Sequence, residues 1–245
     1  MRDQSLSHRS WPVPDLPWAM RMRWCDLLFA HWPVDAAVLH NLIPGGLELD
    51  LFEGRAYVGA VPFTMEDVSA HWAPTLPGLR AFPEMNLRTY VTADGKAGVW
   101  FFSLDAGHRL AVRMARRFFH LPYFDAKFEI LKQDETIAYS ALRTHRGEPE
   151  AAFTASYRPI GPVYRSEAGT LDSWLTDRYC LYSVDHAGRL YRGHIDHDPW
   201  PLQRAQAEIE VNTLGDWLGI ELKGEPETLH FAKSLDVHAW LIERI

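Results

Sequence analysis

A mostly antiparallel α+β fold is what this sequence predicts, and three observations predict it. Short runs rich in β-branched and aromatic residues dominate the chain. Only a few short stretches carry helical periodicity, and strands do not alternate regularly with helices, which disfavours a doubly wound parallel sheet.

In chain order, residues 1–19 set Pro12, Pro14 and Pro17 among polar residues and tryptophans, and read as an irregular arm lying on the body. Order begins at Met20, and residues 20–245 are expected to form one domain. PVDAAVLHNLIP (33–44) reads as a short helix with Asp35 near its start and Pro44 and Gly45 ending it. Strands are expected at 47–52, 55–63, 86–92 and 98–104, separated by Gly, Pro, Asp or Asn. A helix over Arg109–Phe119 places Leu110, Met114 and Phe118 at four-residue steps, predicting one buried face opposite a basic one carrying Arg109, Arg113, Arg116 and Arg117. Further strands are expected at 124–132, 136–143, 151–158, 179–184, 190–196, 206–211 and 228–233, with a short helix at 171–178. No internal repeat or linker interrupts the chain.

Composition excludes several classes. With 245 residues, 47% of them hydrophobic, the chain can bury a substantial core. Its formal charge of −7 argues against nucleic acid as a partner, since phosphate-binding chains carry a basic face. The two cysteines, Cys25 and Cys180, are too few for a disulfide framework, so a reducing, cytoplasmic home is expected. MRDQSLSHRS leads into no apolar segment, and no window approaches the roughly 18 apolar residues of a membrane helix.

The sequence carries no GxGxxG, GxxxxGK, HExxH or GxSxG, so nucleotide, zincin and α/β-hydrolase chemistry lack their signals. His194, Asp196 and His197 form the densest cluster of metal-ligand types, but a strand running into a loop splits them between faces, and no metal is expected. Glu84, Asn86 and Arg88 share one face of a strand. That face is either solvated and ion-paired or the polar wall of a cavity in which Glu84 moves protons. Arg178, Tyr179 and Tyr182 either finish a core or line an amphipathic pocket.

Several stretches resemble one known family. DLLFAHWPVD (26–35), LIPGGLELD (42–50), VPFTM (61–65), FPEMNLRTYV (82–91), FFSLDA (101–106), HLPYFDA (120–126), LTDRYCLY (175–182) and HDPWPLQ (197–203) are similar to the uncharacterised YqjF-like proteins, which share the acetoacetate decarboxylase-like fold. The resemblance implies a cone or barrel of strands around a pocket, and places Glu84 at a position of the decarboxylase site. Those decarboxylases carry a proline followed by two lysines, the first of which forms a Schiff base, and the activation of that lysine is a standard case of amine catalysis. Pro122 matches the proline; Tyr123 and Phe124 stand where the lysines would, and neither can form an imine. Arg23 is the nearest candidate for the decarboxylase's arginine.

Lys127 does not substitute. At about 3.3 Å per residue it lies roughly 13 Å along the strand from Tyr123, and same-face Asp125 and Glu129 favour its charged form. The expectation is therefore a small-molecule pocket without a cofactor. Glu84, His120 and Tyr123 are its candidate catalytic groups, and Asn86, Arg88, Arg116, Arg178 and Tyr182 its candidate substrate-binding groups. Acetoacetate decarboxylase activity is not expected. A non-Schiff-base enzyme acting on a small carboxylate or carbonyl compound and a non-catalytic metabolite binder stay open alternatives, as does a homo-oligomer.

Overall fold

The structure, a computed structural model, describes residues 8–71 and 80–245. Its elements are β1 (Met20–Val34), α1 (Ala36–His40), β2 (Glu48–Leu49), β3 (Ala56–Ala70), β4 (Ala81–Ala93), β5 (Lys96–Ala106) and α2 (Arg109–Phe118). After these come β6 (Tyr123–Gln133), β7 (Thr136–Arg143), β8 (Ala152–Tyr164), α3 (Leu171–Thr176), β9 (Cys180–Val184) and β10 (Leu190–Asp196). β11 (Leu202–Asn212), a 3-10 turn, β12 (Thr228–Ala239) and β13 (Glu243–Arg244) complete the chain.

One sheet holds these strands, and its pairings close on themselves. β12, β1, β3, β4 and β5 lie side by side and form a shared wall. From β5 the sheet returns to β12 by two routes, a short one through β9 and β10 and a long one through β6, β7, β8 and β11. All pairs are antiparallel except β5–β6 and β5–β9. The mostly antiparallel α+β expectation therefore holds, with a ring-like sheet.

The shared wall buries both its faces. Leu28, Ala30, Val58, Ala60, Met85 and Leu87 pack with Ile137, Tyr139, Phe153 and Tyr157 of the long route. Leu27, Phe29, Val61, Phe63, Phe82 and Leu104 form a second core with Tyr123, Trp200 and Leu202. Burial on both faces explains the near-continuous apolar runs in β1 and β3, which show no hydrophobic alternation over that span.

β1 is the longest departure from the expected elements, a 15-residue strand where none was assigned. Its pairing with β3 shifts register between Cys25 and Ala30, and Asp26 adopts a φ of 53° there, a bulge that breaks the period-two pattern. The 33–44 helix shrinks to Ala36–His40 because Pro33 and Val34 belong to β1. The 47–52 strand shrinks to Glu48–Leu49, since Phe52 and Arg55 bridge around a turn at Glu53 and Gly54.

α2 runs where the sequence places it, but its predicted face is inverted. Leu110, Met114 and Phe118 are 50%, 41% and 57% exposed, and only Val112 is buried. Ala111, Ala115 and Phe119 pack with Val112 against the second core. Two arginines of the supposed solvent face instead tie the helix to β6: Arg113 pairs with Asp125 (2.9 Å) and Arg116 donates to Tyr123 O (2.8 Å).

Residues 8–19 contain no helix or strand. Arg9 pins this segment, donating to Ile195 O (2.7 Å) and Asp196 Oδ1 (2.9 Å) with its guanidinium over the Tyr179 ring.

Candidate functional site

Glu84 sits in the middle of β4, opposite Phe63 of β3 and Ala106 of β5, on the face that carries the second core. It is 2% exposed, which overturns the solvated-face alternative. Its side-chain partner is the Tyr123 hydroxyl, which donates to Oε2 at 2.9 Å. Tyr123 is the first residue of β6, delivered there by the turn that follows α2 and anchored through its carbonyl by Arg116. From the opposite face Tyr139 donates to the backbone oxygens of Glu84 (2.8 Å) and Phe63 (3.2 Å), fixing the strand beneath the carboxyl.

No cation is among the groups that act on Glu84, so burial pushes its pKa up to about 8; Tyr123 pulls it down and the Asp105 charge adds to the rise. Burial likewise drives the Tyr123 phenol well above its ordinary value, helped by the Glu84 charge. At neutral pH the pair is a protonated carboxyl facing a protonated phenol. Such a carboxyl can give a proton to a developing oxyanion and retrieve it, as a general acid–base group does.

Asn86 and Arg88 continue the same face of β4. Asn86 is buried with Oδ1 unpartnered. Arg88 donates weakly to Tyr90 Oη (3.4 Å) and Leu175 O (3.3 Å), lies over the Phe29 ring, and leaves Nε unpartnered. Next to it lies a buried group the sequence did not single out. His31 of β1 stands 2.6 Å from Tyr90 Oη, and Tyr90 itself donates to Leu175 O (2.9 Å), so the phenol oxygen must accept from His31 Nε2. Burial keeps this imidazole neutral by pushing its pKa well below the usual range. Gly59 lies between His31 and Arg88 in the register, and a Cβ there would come within 2.9 Å of the His31 ring. The absent side chain gives the imidazole its place.

The other expected residues are placed as follows. His120 adopts a φ of 51° in the turn before β6, and its ring lies against Tyr191 at 4.9 Å. Arg178, buried, donates to Asp50 (2.5 Å) and Trp174 O (2.6 Å) beneath the Tyr90 and Trp174 rings. Tyr182 donates to Ala93 O (3.1 Å) and Lys96 O (2.6 Å) at the β4–β5 hairpin. Phe124 faces Arg143, at 4.2 Å, and Lys127 is exposed. Arg23, also largely exposed, pairs with Asp236. His194 faces Glu243, Asp196 takes Arg9, and His197 packs among Tyr179, Trp24 and Trp200, so three groups adjacent in sequence have three separate environments. Among the described residues no group of three His, Cys, Asp or Glu side chains could hold a metal ion. Nor is any described helix long and apolar enough to cross a membrane.

Residues 21–236 match the family DUF2071, described as an uncharacterized conserved protein. The chain belongs to that family. It is 50% identical over 232 residues, 95% of each chain, to the uncharacterized protein YqjF of Bacillus subtilis (strain 168). Its fold is that of acetoacetate decarboxylase-like proteins. It is similar to acetoacetate decarboxylase from Legionella pneumophila with a TM-score of 0.63 and 14% identity, covering 98% of this chain and 94% of that one. An acetoacetate decarboxylase-like enzyme from Sphingomonas wittichii RW1 matches with a TM-score of 0.64 and 14% identity over 94% of both chains. The enduracididine biosynthesis enzyme MppR in its complex with pyruvate matches at 0.62 and 11% identity, over 94% of this chain and 91% of that one.

Proposed function

We propose that this protein acts on a small carboxylate or carbonyl compound without forming a Schiff base, with Glu84 as the proton-transferring group and Tyr123 as its hydrogen-bonding partner. The observation that carries this reading is a buried carboxyl supported by one phenol and no cation. Tyr123 follows Pro122, where resemblance to the decarboxylases puts the reactive lysine, and its hydroxyl reaches the glutamate that the same resemblance puts in the site. An imine is then impossible at that position, whereas acid–base chemistry is retained.

Asn86 and Arg88 offer the next contacts along β4, an amide oxygen and a guanidinium that fit a hydroxyl and a carboxylate respectively. Arg116 and His120 flank the turn that delivers Tyr123, and Arg178 and Tyr182 stand further off as supports. The structural neighbours include an enzyme complexed with pyruvate, a small keto acid of this class.

A second reading, a pocket that binds a metabolite without turning it over, is favoured by a specific observation. Phe63, Phe82, Leu104 and Tyr123 pack into one core around Glu84. A surface cleft of about 300 Å³ between Arg21, Arg23, Asp67, Asp196 and Asp236 does not include it.

Keto acids, hydroxy acids and lactones screened against wild type, Glu84→Gln, Tyr123→Phe and His120→Ala distinguish the two. Turnover that falls about 100-fold or more in Glu84→Gln supports the enzyme, given the usual size of acid–base effects. Ligand-induced melting shifts with no turnover support the binder, and unchanged turnover in Glu84→Gln sinks the assignment of Glu84.

A further inference from the structure

Among the described residues α2 is the longest helix, and it meets the body only through its small side. Val112 is buried there, with Ala111, Ala115 and Phe119 packed beside it. Outward it carries two lines of side chains, each at four-residue steps and so continuous along the helix. Leu110, Met114 and Phe118 form one, and all three are exposed. Arg109, Arg113 and Arg117 form the other, also exposed.

The fold's own needs explain only part of this. Arg113 pairs with Asp125, Arg116 holds the Tyr123 carbonyl, and Arg116 and Arg117 suit the negative end of the helix dipole. Arg109 has no such account: it stands in the first turn, at the positive end, and that turn carries no acidic residue. Leaving the apolar line in water forgoes the gain from burying it. Single exposed apolar residues are ordinary, but a continuous apolar line beside a line of cations is the pattern of a helix that lies in a membrane interface.

The charge distribution favours the same occupant. From Ala106 to Phe124 the chain has four arginines, two histidines and no acidic residue, although its formal charge as a whole is −7. Positive charge is therefore gathered where the apolar line is, and the field of the acidic remainder turns this face towards an anionic surface. A second copy docked helix to helix would instead set these arginines against their own kind, which opposes the contact.

We propose that α2 is a membrane-surface contact, with Leu110, Met114 and Phe118 seated at the acyl boundary of an anionic bilayer and Arg109 and Arg117 on lipid phosphates. The contact is peripheral, since the ten residues of α2 are too few to span a bilayer. It holds whether or not Glu84 is catalytic.

Flotation of the purified protein with vesicles tests it. Vesicles of phosphatidylcholine containing about a third phosphatidylglycerol are expected to carry wild type up, and pure phosphatidylcholine vesicles to carry at least about tenfold less. Raising NaCl to about 0.5 M should release most of the bound protein. Arg109→Gln and Arg117→Gln should each lower the partition coefficient about fivefold. Leu110→Ser, Met114→Ser and Phe118→Ser combined should lower it by more than about tenfold with the circular dichroism unchanged. The comparison of anionic with neutral vesicles needs no variant, so a misfolded triple variant leaves the proposal testable. Equal binding to both vesicles, or full binding by the folded triple variant, overturns it. Absence of wild type from floated anionic vesicles at low salt also overturns it and leaves the line to a protein partner. In that case, a dimer in light scattering that the triple variant dissolves would assign the line to a second copy.

Discussion

Two buried carboxylates sit one residue apart in register on β4 and β5, and the protein treats them in opposite ways. Asp105 pairs with Met85 and points to the long-route core, while Glu84, opposite Ala106, points to the other. Asp105 receives a bidentate guanidinium, Arg143 Nε at 2.7 Å and Nη2 at 2.8 Å, and the arginine is in turn stacked on Phe124 and Trp217. Burial pushes the Asp105 pKa up and Arg143 draws it back. Glu84 has only a phenol. Asp105 is thus given a counter-charge in the core, and Glu84 is buried without one.

The largest effect expected from breaking this contrast is at Arg143. Arg143→Met leaves Asp105 buried and uncompensated, and should cost about 3–5 kcal/mol in urea unfolding. Arg143→Met with Asp105→Leu should recover most of that loss, because the orphaned charge is gone. A single variant as stable as wild type would mean that the pair is not the structural anchor described.

Next comes Glu84, where the sign runs the other way. A folded pKa of about 8, against roughly 4.3 in the unfolded chain, means that the folded state keeps a proton the unfolded state has released. The Glu84 contribution is therefore undiminished below about pH 4, declines as pH rises towards 8, and is flat above. Glu84→Gln, which cannot ionise, should match wild type near pH 4 and exceed it by about 5 kcal/mol at pH 9. Chemical denaturation at the two pH values measures this, and an equal difference at both would show that Glu84 is ionised in the fold. Tyr123→Phe should cost about 1–2 kcal/mol and move the Glu84 titration, followed by carboxyl 13C NMR, to still higher pH, since the hydrogen bond that opposes the rise is removed.

The sequence made one end of this wall legible and hid the other. Glu84, Asn86 and Arg88 alternate along a single strand, so a period of two puts them on one face. Tyr123 reached attention only through its place after Pro122. His31 lies in β1 and comes near Arg88 only through strand pairing across Gly59, which no local pattern encodes. β1 itself offered a signal in Met20-Arg21-Met22-Arg23-Trp24, whose alternation is broken by the Asp26 bulge and then lost in a run buried on both faces. The α2 error has a different cause. Leu110, Met114 and Phe118 make the more hydrophobic stripe, but a helix that must lie close to a sheet packs through small residues, here Ala111 and Ala115 around Val112.

The smallest effect belongs to Lys127, and it decides between lysine chemistry and the phenol–carboxyl pair. Lys127 is exposed on β6, four residues beyond Tyr123, while Phe124, Ala126 and Phe128 alternate towards the other face. The amine therefore stands in solvent, away from the buried Glu84–Tyr123 pair. Lys127→Ala should change stability by less than about 0.5 kcal/mol and leave any turnover of keto acids intact. Borohydride reduction in the presence of acetoacetate or pyruvate should leave the mass of Lys127 unchanged. An adduct there would mean that β6 rearranges to bring the amine inward, and Glu84 would then serve an imine rather than replace one.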